Sequence, residues 1–101
     1  MTGLNEISKQ SHRIATENGL LEGYPDIKSL KEATADKLEE EVWEFRTSSP
    51  SDKFSKDSEQ SEIADIILIL TTYCHAAGYD IEKIVLDKMQ FNATRPYRHG
   101  K

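Results

Sequence analysis

Cysteine is nearly absent from this chain. The one thiol, Cys74, excludes an intrachain disulfide and fits a reducing compartment. It lies in an apolar stretch and reads as a small buried side chain rather than a nucleophile. Positive charge is also scarce: 13 Lys and Arg face 18 Asp and Glu, a formal net charge of -5, which argues against a surface built to grip nucleic acid. Long hydrophobic runs are missing too. The longest apolar stretch is far too short to span a bilayer, and Met1-Thr2-Gly3-Leu4-Asn5-Glu6 lacks the apolar segment of a signal peptide. A soluble cytoplasmic protein with no membrane partner is expected. At 101 residues there is room for one domain, 1–101, and a domain this small buries a limited share of its surface, so self-association is expected.

What is present is charge and helical periodicity. Charged residues make up 31% of the chain against the usual ~25%, and they fall in helical patterns from end to end. A first helix is expected from Asn5, as N-cap, to about Asn18, with Gly19 as its stop and a thin apolar stripe of Ile7, Ile14 and Ala15. The segment GLLEGYPD forms a turn. A second helix runs from about Ser29, which has capping-box spacing to Glu32, to Arg46. Residues 47–57, rich in Ser, Asp and Lys around Pro50, exceed the usual helix connection and read as a flexible loop able to fold over a ligand. A third helix starts after Ser58 and ends at Gly78. Past Asp65 it is apolar on nearly every face, so it should be buried, and in so short a chain that calls for a second subunit. Asp80 caps a fourth helix, Ile81 to about Thr94, stopped by Pro96. The expected architecture is all-α: a four-helix bundle-like protomer packed into a homo-oligomer.

The chemistry concentrates in two acidic stretches. With Leu38 at zero on a helical wheel, Val42 and Phe45 flank it as a buried stripe. Glu41 falls at the stripe's edge and Glu44 one step further on the same side, while Glu40 points away and Glu39 lies on the opposite flank. Glu-rich helices are commonly just solvated faces. Three features favour more here. Glu41 and Glu44 stand one turn apart, where like charges repel. Glu62 and Asp65 repeat the same step on another helix. Asp65 is embedded in apolar sequence, although aspartate is almost never buried unpaired. Two facing pairs make an oxygen-only site with no His or Cys, the ligand set of Mg²⁺, Mn²⁺ or Ca²⁺, held by Glu41, Glu44, Glu62 and Asp65, with Mg²⁺ the expected ion and Mn²⁺ its alternative. A di-iron bundle needs Glu-x-x-His, which is not present. His75 reads as an interior or interface histidine.

The fourth helix carries the complement. Lys88, Asn92 and Arg95 continue one helical face, and Arg98, His99 and Lys101 follow. A point charge, a neutral donor and a forked donor suit phosphate oxygens. Favourable placement of cations at a helix C-terminus accounts for Arg95 and Arg98, but less well for Lys88 on the apolar face.

Glu40-Glu41-x-x-Glu44, a spacer, and Glu62-x-x-Asp65, followed by Lys88…Asn92…Arg95, resemble the signature of the MazG-like, all-α nucleoside triphosphate pyrophosphatase superfamily, over roughly Lys37 to the C-terminus. The resemblance implies metal-dependent hydrolysis of a nucleoside or deoxynucleoside triphosphate to the monophosphate and pyrophosphate, as nucleotide-pool housekeeping, by a homodimer or homotetramer. It implies Glu41, Glu44, Glu62 and Asp65 as metal ligands, Glu40 and Glu41 as the catalytic carboxylates with Glu40 orienting or deprotonating water, and Lys88, Asn92 and Arg95 on the phosphates. The base pocket would be lined by the first helix, where Ser11 and His12 are candidates against a plain surface role for both. Two alternatives stay open: a non-catalytic helical oligomer or adaptor whose carboxylates pair with Lys and Arg across subunits, and a nucleotide sensor that binds without turnover.

Overall fold

The computed structural model describes residues 3–24, 26–50, 54–55 and 58–94. Among them the chain is all-helical, with no strand: α1 (Leu4–Glu17), α2 (Ile27–Thr47), α3 (Glu59–Ala77) and α4 (Ile81–Thr94). No helix among these residues is long and apolar enough to cross a membrane. The expected loop at 47–57 starts one residue later than Thr47, which closes α2, and positions 51–53 and 56–57 lie outside the described residues, as do Arg95, Pro96, Arg98, His99 and Lys101.

Local chemistry sets the ends of these helices. Ser58 caps α3 by accepting the Ser61 N–H at 3.2 Å. At its far end Gly78 turns left-handed (φ 79°), where Tyr79 N–H donates to Cys74 O at 2.9 Å and Gly78 N–H to His75 O at 3.1 Å. α1 ends in the same way: Gly19 (φ 73°) lets Leu20 N–H reach Ala15 O at 2.9 Å and Gly19 N–H reach Thr16 O at 3.0 Å. In both cases the αL glycine satisfies carbonyls that the helix leaves open.

Two expected caps move. Asp26, not Ser29, caps α2: its carboxylate accepts the Ser29 N–H at 2.8 Å, so the helix begins at Ile27. Asn5 does not cap α1, which begins after Gly3. It caps α4 instead, across the fold. Asn5 Oδ1 accepts the Glu82 N–H at 3.1 Å, and its amide donates to Asp80 Oδ1 at 2.9 Å. Asp80 also accepts the Lys83 N–H at 3.0 Å, and these hydrogen bonds hold its carboxyl below the usual carboxylate range.

α3 is the hub. α1 and α2 pack along it, and α4 lies against α1 and α3; among the described residues the α2 backbone comes close only to that of α3. The protomer is thus open on one side rather than a closed bundle. α1 approaches α3 mainly through small side chains: of the expected Ile7, Ile14 and Ala15 stripe, Ala15 is buried and Ile7 half-buried, whereas Ile14 is exposed and Ser8 is buried in its stead. Ser8 Oγ donates to Thr71 O, and Ser11 shares a hydrogen bond with Thr72 Oγ1. Serine serves here because it lets two backbones approach closely and binds the carbonyl it meets.

α2 is rotated from the expected stripe. Glu41 is buried (6% exposed), while Val42 (44%) and Phe45 (39%) are not. The side facing α3 runs through Ala33, Thr34 and Leu38 to Glu41, about 60° round the helix from the Leu38–Val42–Phe45 line. Small residues allow close packing there. α3 is likewise not covered all round: Ile63, Ile67 and Leu70, three steps along one face, are each more than 40% exposed. No large side chain is fully buried anywhere among the described residues.

Replacing Asn5 with Ala removes the acceptor for Glu82 N–H and is expected to lower stability by about 1 kcal/mol. Urea unfolding measures the loss, and amide exchange should locate it at the start of α4. A loss of protection confined to α1 would contradict the cross-fold cap.

Candidate metal centre

The two acidic stretches meet where α2 crosses the N-terminal half of α3. One carboxylate oxygen from each of Glu41, Glu62 and Asp65 lies within 4.8 Å of the others. Glu41 and Glu62 are both 6% exposed, and Asp65 is half-buried. Helical geometry explains the convergence. Glu62 and Asp65 are three residues apart and share a face of α3. Glu41 comes across from the side of α2 that packs on that face. Glu44, one turn beyond, is exposed and stands beside the group, close enough for its carboxylate to act on that of Glu41. Three of the four expected ligands therefore converge, with the fourth adjoining them.

Electrostatics make this a costly place for negative charge. Burial, then the hydrogen bond and charge of Glu44, then the charges of Asp65 and Glu62, push the Glu41 carboxyl up to about 7. Glu62 is favoured by position, since it lies in the first turns of α3 at the positive end of the helix dipole. Asp65, one turn further in, has less of that help. The ion pairs Arg13–Glu17 and Lys83–Asp87 leave Glu41 and Asp65 without a cationic side chain among the described residues. Three oxygen donors with no nitrogen or sulfur fit a hard divalent cation that completes its shell with water or a ligand's oxygens.

The site opens into a cavity of about 720 Å³ between α1 and α2, with α3 as its floor. Glu40, Glu41 and Asp65 line it, so Glu40 faces the cavity despite its outward position on the wheel. Ser11, Thr72, Leu20, Leu21, Tyr24 and Leu30 are also in its lining, the last four adding apolar surface. Ser11, one of two candidates for a base pocket, is thus in place, though its hydroxyl is already engaged with Thr72. The other, His12, is not: it packs against the exposed His75, ring centroids 4.6 Å apart, in a separate shallow groove with Lys9, Gln10 and Arg13. Burial and the His75 charge hold the His12 imidazole below its ordinary value. Lys88 and Asn92 are exposed and do not line the cavity; the Lys88 ammonium sits 4.9 Å over the Phe91 ring. Lys37 does line it, a placement the Leu30–Ala33–Thr34–Lys37–Glu41 spacing of threes and fours on α2 could have revealed.

Comparison with known protein families, with curated proteins and with solved structures gives no match.

A glutamate with a folded-state pKa near 7, against an ordinary 4.5, stays neutral in the fold at pH values where the unfolded chain has ionised it. Below the lower value the two states bind the same proton and Glu41 contributes no pH dependence. Between the two values stability falls as pH rises, and above the upper one it stays reduced. In chelator, the urea midpoint should therefore be lower at pH 8 than at pH 5, and Glu41→Gln should remove most of that difference. Mn²⁺ should restore the wild type at pH 8 and help the variant far less. An unchanged wild-type midpoint on adding Mn²⁺ at pH 8 would count against a cation site.

Proposed function

We propose that this protein hydrolyses a nucleoside or deoxynucleoside triphosphate to the monophosphate and pyrophosphate, as a MazG-like all-α pyrophosphatase. The observation that carries this reading is the convergence of Glu41, Glu62 and Asp65 at the end of a cavity large enough for a nucleotide. An acidic cage repels a polyphosphate, so the two are compatible only with a cation between them. Glu41, Glu62 and Asp65 would hold Mg²⁺ or Mn²⁺, with Glu44 adjoining. When bound, such an ion polarises phosphoryl oxygens and lowers the pKa of water beside it. Glu40, exposed at the cavity wall, accepts a proton from the attacking water. The water oxygen bonds to the α-phosphorus, and the bond to the departing pyrophosphate breaks. The apolar lining, with Leu20, Leu21 and Tyr24, takes the base.

The working form is a homodimer or homotetramer. Ile63, Ile67 and Leu70 on α3, and Val42 and Phe45 on α2, leave a row of large apolar side chains half-exposed. Rows of this kind on single chains are characteristic of subunit contacts. Lys88 and Asn92 serve the metal centre only if a neighbouring subunit brings α4 to it.

With Mg²⁺ or Mn²⁺, the purified protein should release pyrophosphate from at least one member of a panel of ribo- and deoxyribonucleoside triphosphates. Glu62→Gln and Asp65→Asn should each lower the rate at least about a hundredfold, because the lost ion supplies several kcal/mol. No release above a Glu41→Gln control across the panel removes the enzyme reading. Removal of the enzyme reading would leave the sensor or adaptor, which binding assays then separate.

Sedimentation should find two or four copies, and Ile67→Lys should shift the mass toward one. A wild type that sediments as a stable, well-folded monomer contradicts the oligomer.

A further inference from the structure

We propose, building on the triphosphate reading above, that Lys37 holds the substrate's phosphate chain within the protomer, opposite the carboxylate centre. Of the described residues that line the cavity, Lys37 is the one cation, set among Asp36, Glu40, Glu41 and Asp65. It occupies the face of α2 that runs through Leu30, Ala33 and Thr34 to the buried Glu41. Small neighbours at Ala33 and Thr34 leave the space beside it open. Glu41 follows at four residues and Glu40 at three, distances at which helical ion pairs form. Yet Lys37 makes no ion pair among the described residues, where the pairs are Arg13–Glu17 and Lys83–Asp87. Lysine before glutamate is the weaker order for such a pair, and Glu41 is drawn inward toward Glu62 and Asp65.

A free ammonium in the wall of an acidic cavity matches a polyanion rather than a nucleobase. Four residues of helix place the Lys37 backbone about 6 Å from that of Glu41 along α2. The lysine stem is long and flexible enough to cover that gap. One phosphoryl group can then lie at the carboxylate-bound cation while the next meets the ammonium. Within one protomer Lys88 and Asn92 have no such position, since neither lines the cavity.

Calorimetric titration of magnesium tripolyphosphate into the full-length protein tests this without turnover. Lys37→Met should weaken binding about tenfold or more, as expected for a lost charge-assisted hydrogen bond. Lys37→Arg should keep binding within about threefold, and Lys31→Met, which removes an equal charge from the same helix away from the cavity, within about twofold. Mn²⁺ affinity without polyphosphate should not fall in Lys37→Met. Equal binding by Lys37→Met and wild type, or equal weakening by Lys31→Met, overturns the assignment and leaves the triphosphate reading intact. A wild type that takes Mn²⁺ but no tripolyphosphate overturns both.

Discussion

The arrangement of this protein depends on bringing carboxylates from two helices into one partly buried place. Glu41, Glu62 and Asp65 approach within 4.8 Å where α2 crosses α3. Mutual repulsion at that distance is unfavourable, and burial removes the water that would screen it. The rise of the Glu41 carboxyl to about 7 records the cost. A proton can lift part of the penalty and a divalent cation can lift more. Much else in the fold follows from where these groups stand. α2 turns its glutamate edge, not its Val42–Phe45 edge, toward α3. The α3 N-terminus, capped by Ser58, places Glu62 at the positive end of its dipole.

The same arrangement explains what the protomer leaves uncovered. Rotating α2 to bury Glu41 leaves Val42 and Phe45 part-exposed, and with small α1 side chains against α3, Ile63, Ile67 and Leu70 stay part-exposed too. A chain of 101 residues with few apolar side chains cannot cover α3 on every side. The site and the proposed oligomer surface are thus linked: the packing that builds one exposes the other.

Helix number and most ends were legible in the sequence because they rest on local chemistry. Ser58, Gly78 and Asp80 act within their own turns, so spacing alone identifies them. Asn5 was misplaced for the opposite reason: it does cap a helix, but one 77 positions away in sequence, and no local pattern reports that. The α2 stripe failed similarly. A wheel weighs apolar character, and here small size at Ala33 and Thr34 and a costly contact at Glu41 decide the facing side. The acidic positions were legible because like-charged pairs repeated on two helices have no local benefit. Lys37 was missed although it shares the Leu30–Ala33–Thr34–Glu41 spacing, since a lysine beside three glutamates looks like a solvated helix face until the cavity is visible.

Size and charge together narrow what the cavity can serve. Apolar Leu20, Leu21 and Tyr24 and acidic Glu40, Glu41 and Asp65 line one cavity, which suits a ligand with a flat, weakly polar part and a cation-binding part. An acidic peptide or a free base meets one half of that demand. A protein cation from another subunit would neutralise the carboxylates but leave the apolar lining unexplained. The proposed nucleotide, carrying Mg²⁺ on its phosphates, would answer both, without requiring Glu41, Glu62 or Asp65 to move from where α2 and α3 hold them.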